Sequence, residues 1–304
     1  MVEKDHQATH ALCHPRSEPK MTRLVLCADD FALSDGVSRA IIALAAAGRI
    51  SATGAMTNRP QWRAWSREIA GHTAGIDIGV HLNLTVGEPI APMPRLCPSG
   101  SFPALNVVMR AALLSGDVRA EIRAETARQI DAFEQAMGRR PDFIDGHQHV
   151  HAMPGVRSPV IEELVRRAAA KRAEGDHAGP PVPYVRDPSD SIAAIRARGV
   201  AVRKAVLISG LATGFGRVMR VAGLATNQGF SGVSPFDPAR DFAADMRRFL
   251  EMPGQRHLVM CHPGHIDDTL RRLDPVVESR ETEFLVLSEG RWSEGHQLVR
   301  FADL

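Results

Sequence analysis

A regular hydrophobic pattern begins at Met21. Residues 23–28 (RLVLCA) form a short apolar run that ends at two aspartates and reads as a buried strand. Asp35 and Gly36 open an apolar-periodic segment that stops at Gly48, the pattern of a helix with a glycine C-cap. Residues 51–56 read as a second strand, Pro60 begins a helix carrying Trp62 and Trp65, and residues 76–82 read as a third strand. A Pro-rich excursion over residues 86–103 follows. It is too long for an ordinary strand-to-helix loop and predicts a lid or a substrate-contacting insertion. Residues 117–137 give the clearest helix: Val118, Ile122, Thr126, Ile130, Phe133 and Met137 share one face, and Gly138 ends it.

The alternation continues to the end of the chain. Residues 142–145 read as a strand, 160–170 as a helix, and Pro-rich 179–183 leads into Tyr184, Val185 and Arg186. Residues 202–221 read as one partly amphipathic helix, 224–226 as a weak strand and 228–232 as a glycine-rich loop. A helix is expected from Asp237, with Phe242, Met246, Phe249 and Leu250 on it; residues 257–261 are a final strand, followed by helices. Strand and helix alternating in this way predict an α/β fold with a parallel sheet. No GxGxxG or phosphate loop follows the first strand, so a closed or partly open (β/α) barrel, TIM-barrel-like, is the better reading. It forms a single domain over residues 21–304. Residues 1–20 read as a loose extension, or as an early start ahead of Met21.

Composition narrows the function. Lys plus Arg is 37 and Asp plus Glu is 35, a balance that argues against a nucleic-acid binder. Four cysteines, at 13, 27, 97 and 261, have no metal-finger or disulfide spacing. No segment is apolar enough for a signal peptide or a membrane span, which predicts a soluble, cytoplasmic protein. The 13 histidines are the unusual feature. His6, His10 and His14 lie in the extension; His72, His177, His257, His265 and His296 belong to no constellation.

The others sit at predicted strand ends. Asp29 and Asp30 follow the first strand, His81 ends the third, and Asp145, His147, His149 and His151 follow the fourth. Arg186 follows the Tyr184 segment, and His262 follows the last strand. The carboxyl ends of barrel strands converge on one face, so these residues are expected to meet. Adjacent aspartates repel unless a cation lies beside them, although Asp before a helix is also a common N-cap. A lone histidine such as His81 is commonly a satisfied core residue. Continued as extended chain, His147, His149 and His151 would share a face, and imidazole suits zinc and other first-row metals. Cys27 and Cys261 read as buried thiols, Cys97 has no local base, and no GxSxG is present.

Several motifs now resemble one family in order: ADDFALSDG from Ala28, GVHLNLTVGEP from Gly79, PDFIDGHQHVHAMP from Pro141, NQGFSG, MCHPGHID from Met260, and SRETEFLVL. The chain resembles the YdjC-like carbohydrate deacetylases, which include chitooligosaccharide and hopanoid-associated deacetylases. The resemblance implies a distorted (β/α) barrel of the polysaccharide-deacetylase kind that removes acetyl groups from N-acetylated sugars with one divalent metal. It implies Asp30, His81 and His147 as metal ligands, Asp29 as catalytic base and His262 as candidate acid. His149, His151, Arg186 and Asp145 would support these groups or touch substrate. The resemblance brings magnesium with it, whereas two imidazole ligands argue for zinc or another first-row ion. Where the family reads ADDFG, this chain has Ala32, which matters if that position needs positive φ.

Two rival readings are a non-haem Fe(II) oxygenase with a facial triad and a non-catalytic sugar-binding protein of the same fold. The expected partner is an N-acetylated carbohydrate, as an oligosaccharide or a glycolipid, with a homodimer as a candidate assembly. Residues 157–220 carry twelve Lys/Arg against six Asp/Glu and hold the apolar run 205–215. That combination suits a membrane surface, but an ordinary solvated helical region is the simpler expectation.

Overall fold

The computed structural model describes residues 21–173, 184–293 and 295–304. The expected N-terminal extension and the Pro-rich 179–183 segment lie outside the described residues. Among the described residues, eight strands form one parallel sheet: β1 (Thr22–Phe31), β2 (Ala52–Ala55), β3 (Asp77–Leu82), β4 (Phe143–Gly146), β5 (Tyr184–Val185), β6 (Phe230–Ser231), β7 (His257–Cys261) and β8 (His296–Leu298). They run in the order β5-β4-β3-β2-β1-β7-β6, and β8 pairs with the start of β1. A single parallel bridge from Val185 to Thr226 draws the two ends of this half-barrel together.

β1 is the axis of the fold. Eight of its ten residues are buried, because strands flank it and helices cover it. Such a two-sided strand reads as a continuous apolar run rather than an alternating one. Helices pack outside. Ser34 caps the Asp35–Ala46 helix through Val37 N (3.3 Å), and Ser115 caps Gly116–Met137 through Val118 N (3.3 Å). Gly138 closes the latter at φ 64°. The 86–103 excursion is pinned to this helix: Glu121 accepts from Arg95 N and Leu96 N, each at 2.9 Å, and Glu125 accepts from Ile90 N at 3.0 Å.

Several local expectations are corrected. The single helix expected over 202–221 is two, Val202–Leu211 and Phe215–Val221, broken where Gly214 takes φ 79°. The weak strand over 224–226 contributes only the Thr226 bridge. The real strand, β6, lies inside the expected glycine loop, held against β7 by Gly232 at φ 99°, where any side chain would collide with the Met260 backbone. The helix expected from Asp237 begins at Phe242 with Asp241 as cap (3.0 Å to Ala244 N), while Asp237 caps a turn instead. After β7 come the helices Asp268–Leu273 and Glu278–Glu289, and the short strand β8 then interrupts the helical stretch before a last helical turn at Phe301–Asp303.

Candidate active site

The carboxyl ends of β1, β3 and β4 bring Asp30, His81 and His147 together. Asp30 Oδ1 lies 3.2 Å from His81 Nε2 and 2.8 Å from His147 Nδ1. The three residues offer ligand atoms within 4.8 Å of one another, all buried, so this site could hold a metal ion. The donor set fits one: two imidazoles and a carboxylate suit a divalent first-row ion. His81 uses its other nitrogen, Nδ1, on Asp145 at 2.6 Å, the orienting contact that metal-binding histidines usually carry. Burial would raise Asp30, but His147 and Arg280 hold it well below the usual carboxylate range. Burial would lower His81, but Asp145 and Asp29 push it up to about 10. Asp145→Asn is therefore expected to weaken metal binding about 10–100-fold, measured by calorimetric titration.

Asp29 has a different neighbour. Arg186, wholly buried, forks onto it with Nη1 to Oδ2 at 2.7 Å and Nη2 to Oδ1 at 2.6 Å. The same guanidinium reaches Asp145 and the Cys27 thiol, 3.1 Å away, and so occupies the cluster formed by Cys27, Asp29 and Asp145. Burial lifts the Asp29 carboxyl above its ordinary range against the pull of Arg186. Cys27 and Cys261 are buried thiols as expected, both pushed up chiefly by burial.

The three alternating histidines do not share a face. The chain turns after Gly146, with Gln148 at φ 53° and His149 at φ 58°, so His147 alone reaches Asp30. His149 sets its ring edge-on to Phe230 (5.6 Å), and burial lowers its pKa well below that of a free imidazole. His151 bonds the Arg186 carbonyl through Nε2 at 2.8 Å and packs edge-on to Phe215, so it fixes the segment that carries Arg186. His262 directly follows β7, beside β1. Its backbone N–H donates to Glu283 Oε2 at 2.5 Å and its ring meets Phe236 edge-on at 5.1 Å. Burial holds it well below the usual imidazole range.

Sequence reasoning missed Arg280, Glu283 and Asp274. Arg280 is buried, donates from Nη2 to Asp30 Oδ2 at 2.7 Å, and stands 3.5 Å from Asp274. Burial pushes the Glu283 carboxyl up to about 7. Arg280 and Glu283 belong to the SRETEFLVL motif, and an arginine and glutamate near a helix start were the only available signal.

Ala32 sits at φ 72° and Asp30 at φ 70°. Ser38 Oγ accepts from Ala32 N (3.1 Å), and Leu33 N donates to Asp30 O (3.0 Å), which holds the strained turn. The left-handed geometry costs alanine about 1–2 kcal/mol. Glycine would relieve it, but would lose one buried methyl, about 0.8 kcal/mol, and add chain entropy, about 0.5–1 kcal/mol. Ala32→Gly is thus expected to change unfolding stability by less than about 1 kcal/mol in urea denaturation.

A parallel (β/α) half-barrel with a carboxylate–imidazole cluster at the carboxyl ends of its strands defines a barrel protein with a candidate metal centre. The chain belongs to the YdjC-like protein family, whose model matches residues 23–295. It is 34% identical over 154 residues to a carbohydrate deacetylase from Homo sapiens, covering 49% of this chain and 46% of that protein. It is 28% identical over 253 residues to a chitooligosaccharide deacetylase from Escherichia fergusonii, covering 82% of this chain and 84% of that one. The chain spans about half the length of the curated relatives it matches above 30% identity. The fold is shared with a solved Enterococcus faecalis structure, provisionally named a cellobiose-phosphate cleavage protein. The TM-score is 0.68 at 21% identity, over 93% of this chain and 98% of that one. Among the described residues, no helix is long and apolar enough to cross a membrane.

Proposed function

We propose that this chain is a metal-dependent hydrolase that removes the acetyl group of an N-acetylated sugar, giving acetate and a free amino sugar. The observation that carries the reading is the division of labour between two adjacent carboxylates. Asp30 faces both imidazoles, while Asp29 is held by Arg186 outside that cluster. The names of the curated relatives support the same reaction class.

Asp30, His81 and His147 would hold the ion, zinc or another first-row metal by donor chemistry and magnesium by family resemblance. When bound, such an ion supplies Lewis acidity that lowers the pKa of water and polarises an acetamide carbonyl. Asp29, lifted by burial, takes the proton from the attacking water as general base. Arg186 holds both of its oxygens and fixes the direction in which the carboxylate accepts. His262 is the donor to the departing nitrogen. Burial keeps its ring neutral at rest, so it must first gain a proton. The proton count closes if the one accepted at Asp29 leaves through His262. His149, His151 and Asp145 support these groups rather than react.

A facial-triad oxygenase would leave Asp29, Arg186 and His262 without a task, as would a passive sugar-binding protein. The test is mass spectrometry of metal-loaded protein with a panel of N-acetylated oligosaccharides and glycolipids. Loss of one acetyl group with matching acetate is expected. Absence of acetate from every substrate, or oxygen uptake with ferrous iron instead, would overturn the reading. Metal analysis of active protein identifies the ion.

A further inference from the structure

We infer that the Val202–Leu211 and Phe215–Val221 helices form a docking face for an anionic lipid bilayer, beside the candidate catalytic mouth.

The whole chain is nearly balanced in charge, yet residues 192–236 hold six Arg/Lys and no Asp/Glu; one of the six, Arg198, is buried and paired with Asp190 at 2.7 Å, which leaves five. Some surface arginines elsewhere are neutralised by neighbouring carboxylates. On the Arg157–Ala173 helix, Arg166 bonds Glu163 at 2.6 Å, and Arg167 bonds Glu163 and Asp131 at 2.8 and 2.6 Å. Arg203 and Arg217 form no ion pair among the described residues, and Arg220 reaches only the Gly216 carbonyl, at 3.4 Å. Both are exposed, as is Arg220.

Between these cations large apolar side chains stand exposed. Arg203, Val206, Leu207 and Gly210 follow helical spacing on one face, as do Arg217, Val218 and Val221. Leu207 is 63% and Val221 is 83% exposed. An ordinary solvated helix would place polar residues there. Apolar tips among unpaired cations suit a surface that takes both at once: phosphate or other anionic headgroups for the arginines, the acyl boundary for Leu207 and Val221. A symmetric pair of these faces would set the unpaired arginines near one another, which disfavours a second copy as the occupant.

The face adjoins the site. Lys204, on the same helix, donates to the Ser234 carbonyl at 3.2 Å and stands 3.9 Å from the Phe236 ring centre. Phe236 packs edge-on against His262 at 5.1 Å. Docking there would bring the mouth to acetamido sugars displayed on a membrane, a consequence that rests on the deacetylase reading; the docking itself does not.

The experiment floats the full-length protein with phosphatidylcholine vesicles, with and without phosphatidylglycerol, at low and high salt. Flotation is expected only with the anionic lipid and should fall as salt rises. At roughly fivefold per cation, the combined Arg203→Glu, Arg217→Glu and Arg220→Glu variant should bind at least about 100-fold more weakly. Leu207→Ser with Val221→Ser should also weaken binding. Acetate release from a soluble N-acetylated oligosaccharide should be unchanged in both. No flotation of the unmutated protein, equal flotation with neutral vesicles, or a triple variant that binds normally would overturn the proposal. So would self-association that the Leu207/Val221 pair dissolves, without vesicle binding. Vesicle binding without acetate release from any sugar would refute the deacetylase reading and leave the docking face standing.

Discussion

Replacing Asp29 with asparagine is expected to cut turnover by about 10²–10⁴-fold while the metal stays bound. The side chain keeps its shape, and the groups that could ligate an ion, on Asp30, His81 and His147, are untouched. What disappears is the strand-end carboxylate that Arg186 orients and that lies outside the Asp30, His81 and His147 ligand set. A purely structural role makes a different forecast. If Asp29 served only to neutralise Arg186, the variant would leave a buried guanidinium with Asp145 as its remaining carboxylate partner. The melting temperature would then fall and kcat per folded molecule would hold. Acetate release, metal content and thermal melting on the same preparation separate the two. Near-normal kcat with metal bound would sink the base assignment.

The sequence made the site legible for a topological reason. Parallel strands deliver their carboxyl ends to one face, so polar residues that terminate apolar runs must converge, and Asp29, Asp30, His81, Arg186 and His262 do lie at such ends. The misreadings have physical causes of another kind. β5 and β6 are two residues long and β8 is three, so their pairing is set by neighbours and not by local pattern. Periodicity carried the 202–221 helix across Gly214, where the backbone turns left-handed. The same kind of turn at Gln148 and His149 broke the alternation that would have aligned three histidines. Arg280 lies 250 residues from the carboxylate it holds, and no local signal reports a contact of that span.

Arg280→Met should lower the melting temperature more without metal than with it. Methionine keeps an unbranched apolar stem but removes the charge that Arg280 places 2.7 Å from Asp30. Breaking a buried ion pair from one side costs about 3–5 kcal/mol, because the remaining charge is left in a poor solvent. Asp30 keeps His147 at 2.8 Å and His81 at 3.2 Å, so the lower end of that range applies. For a chain of this size about 3 kcal/mol corresponds to a fall of roughly 5 °C. A divalent ion at the Asp30 cluster would replace the lost positive charge, and the gap to the unmutated protein should narrow. The thermodynamic cycle then demands that the folded variant bind the ion more tightly, since a neighbouring guanidinium repels a cation. Differential scanning calorimetry with chelator and with added metal, paired with a metal titration, measures both arms. Equal losses in the two states, with unchanged affinity, would show that Arg280 supports the fold and does not set the charge of the site.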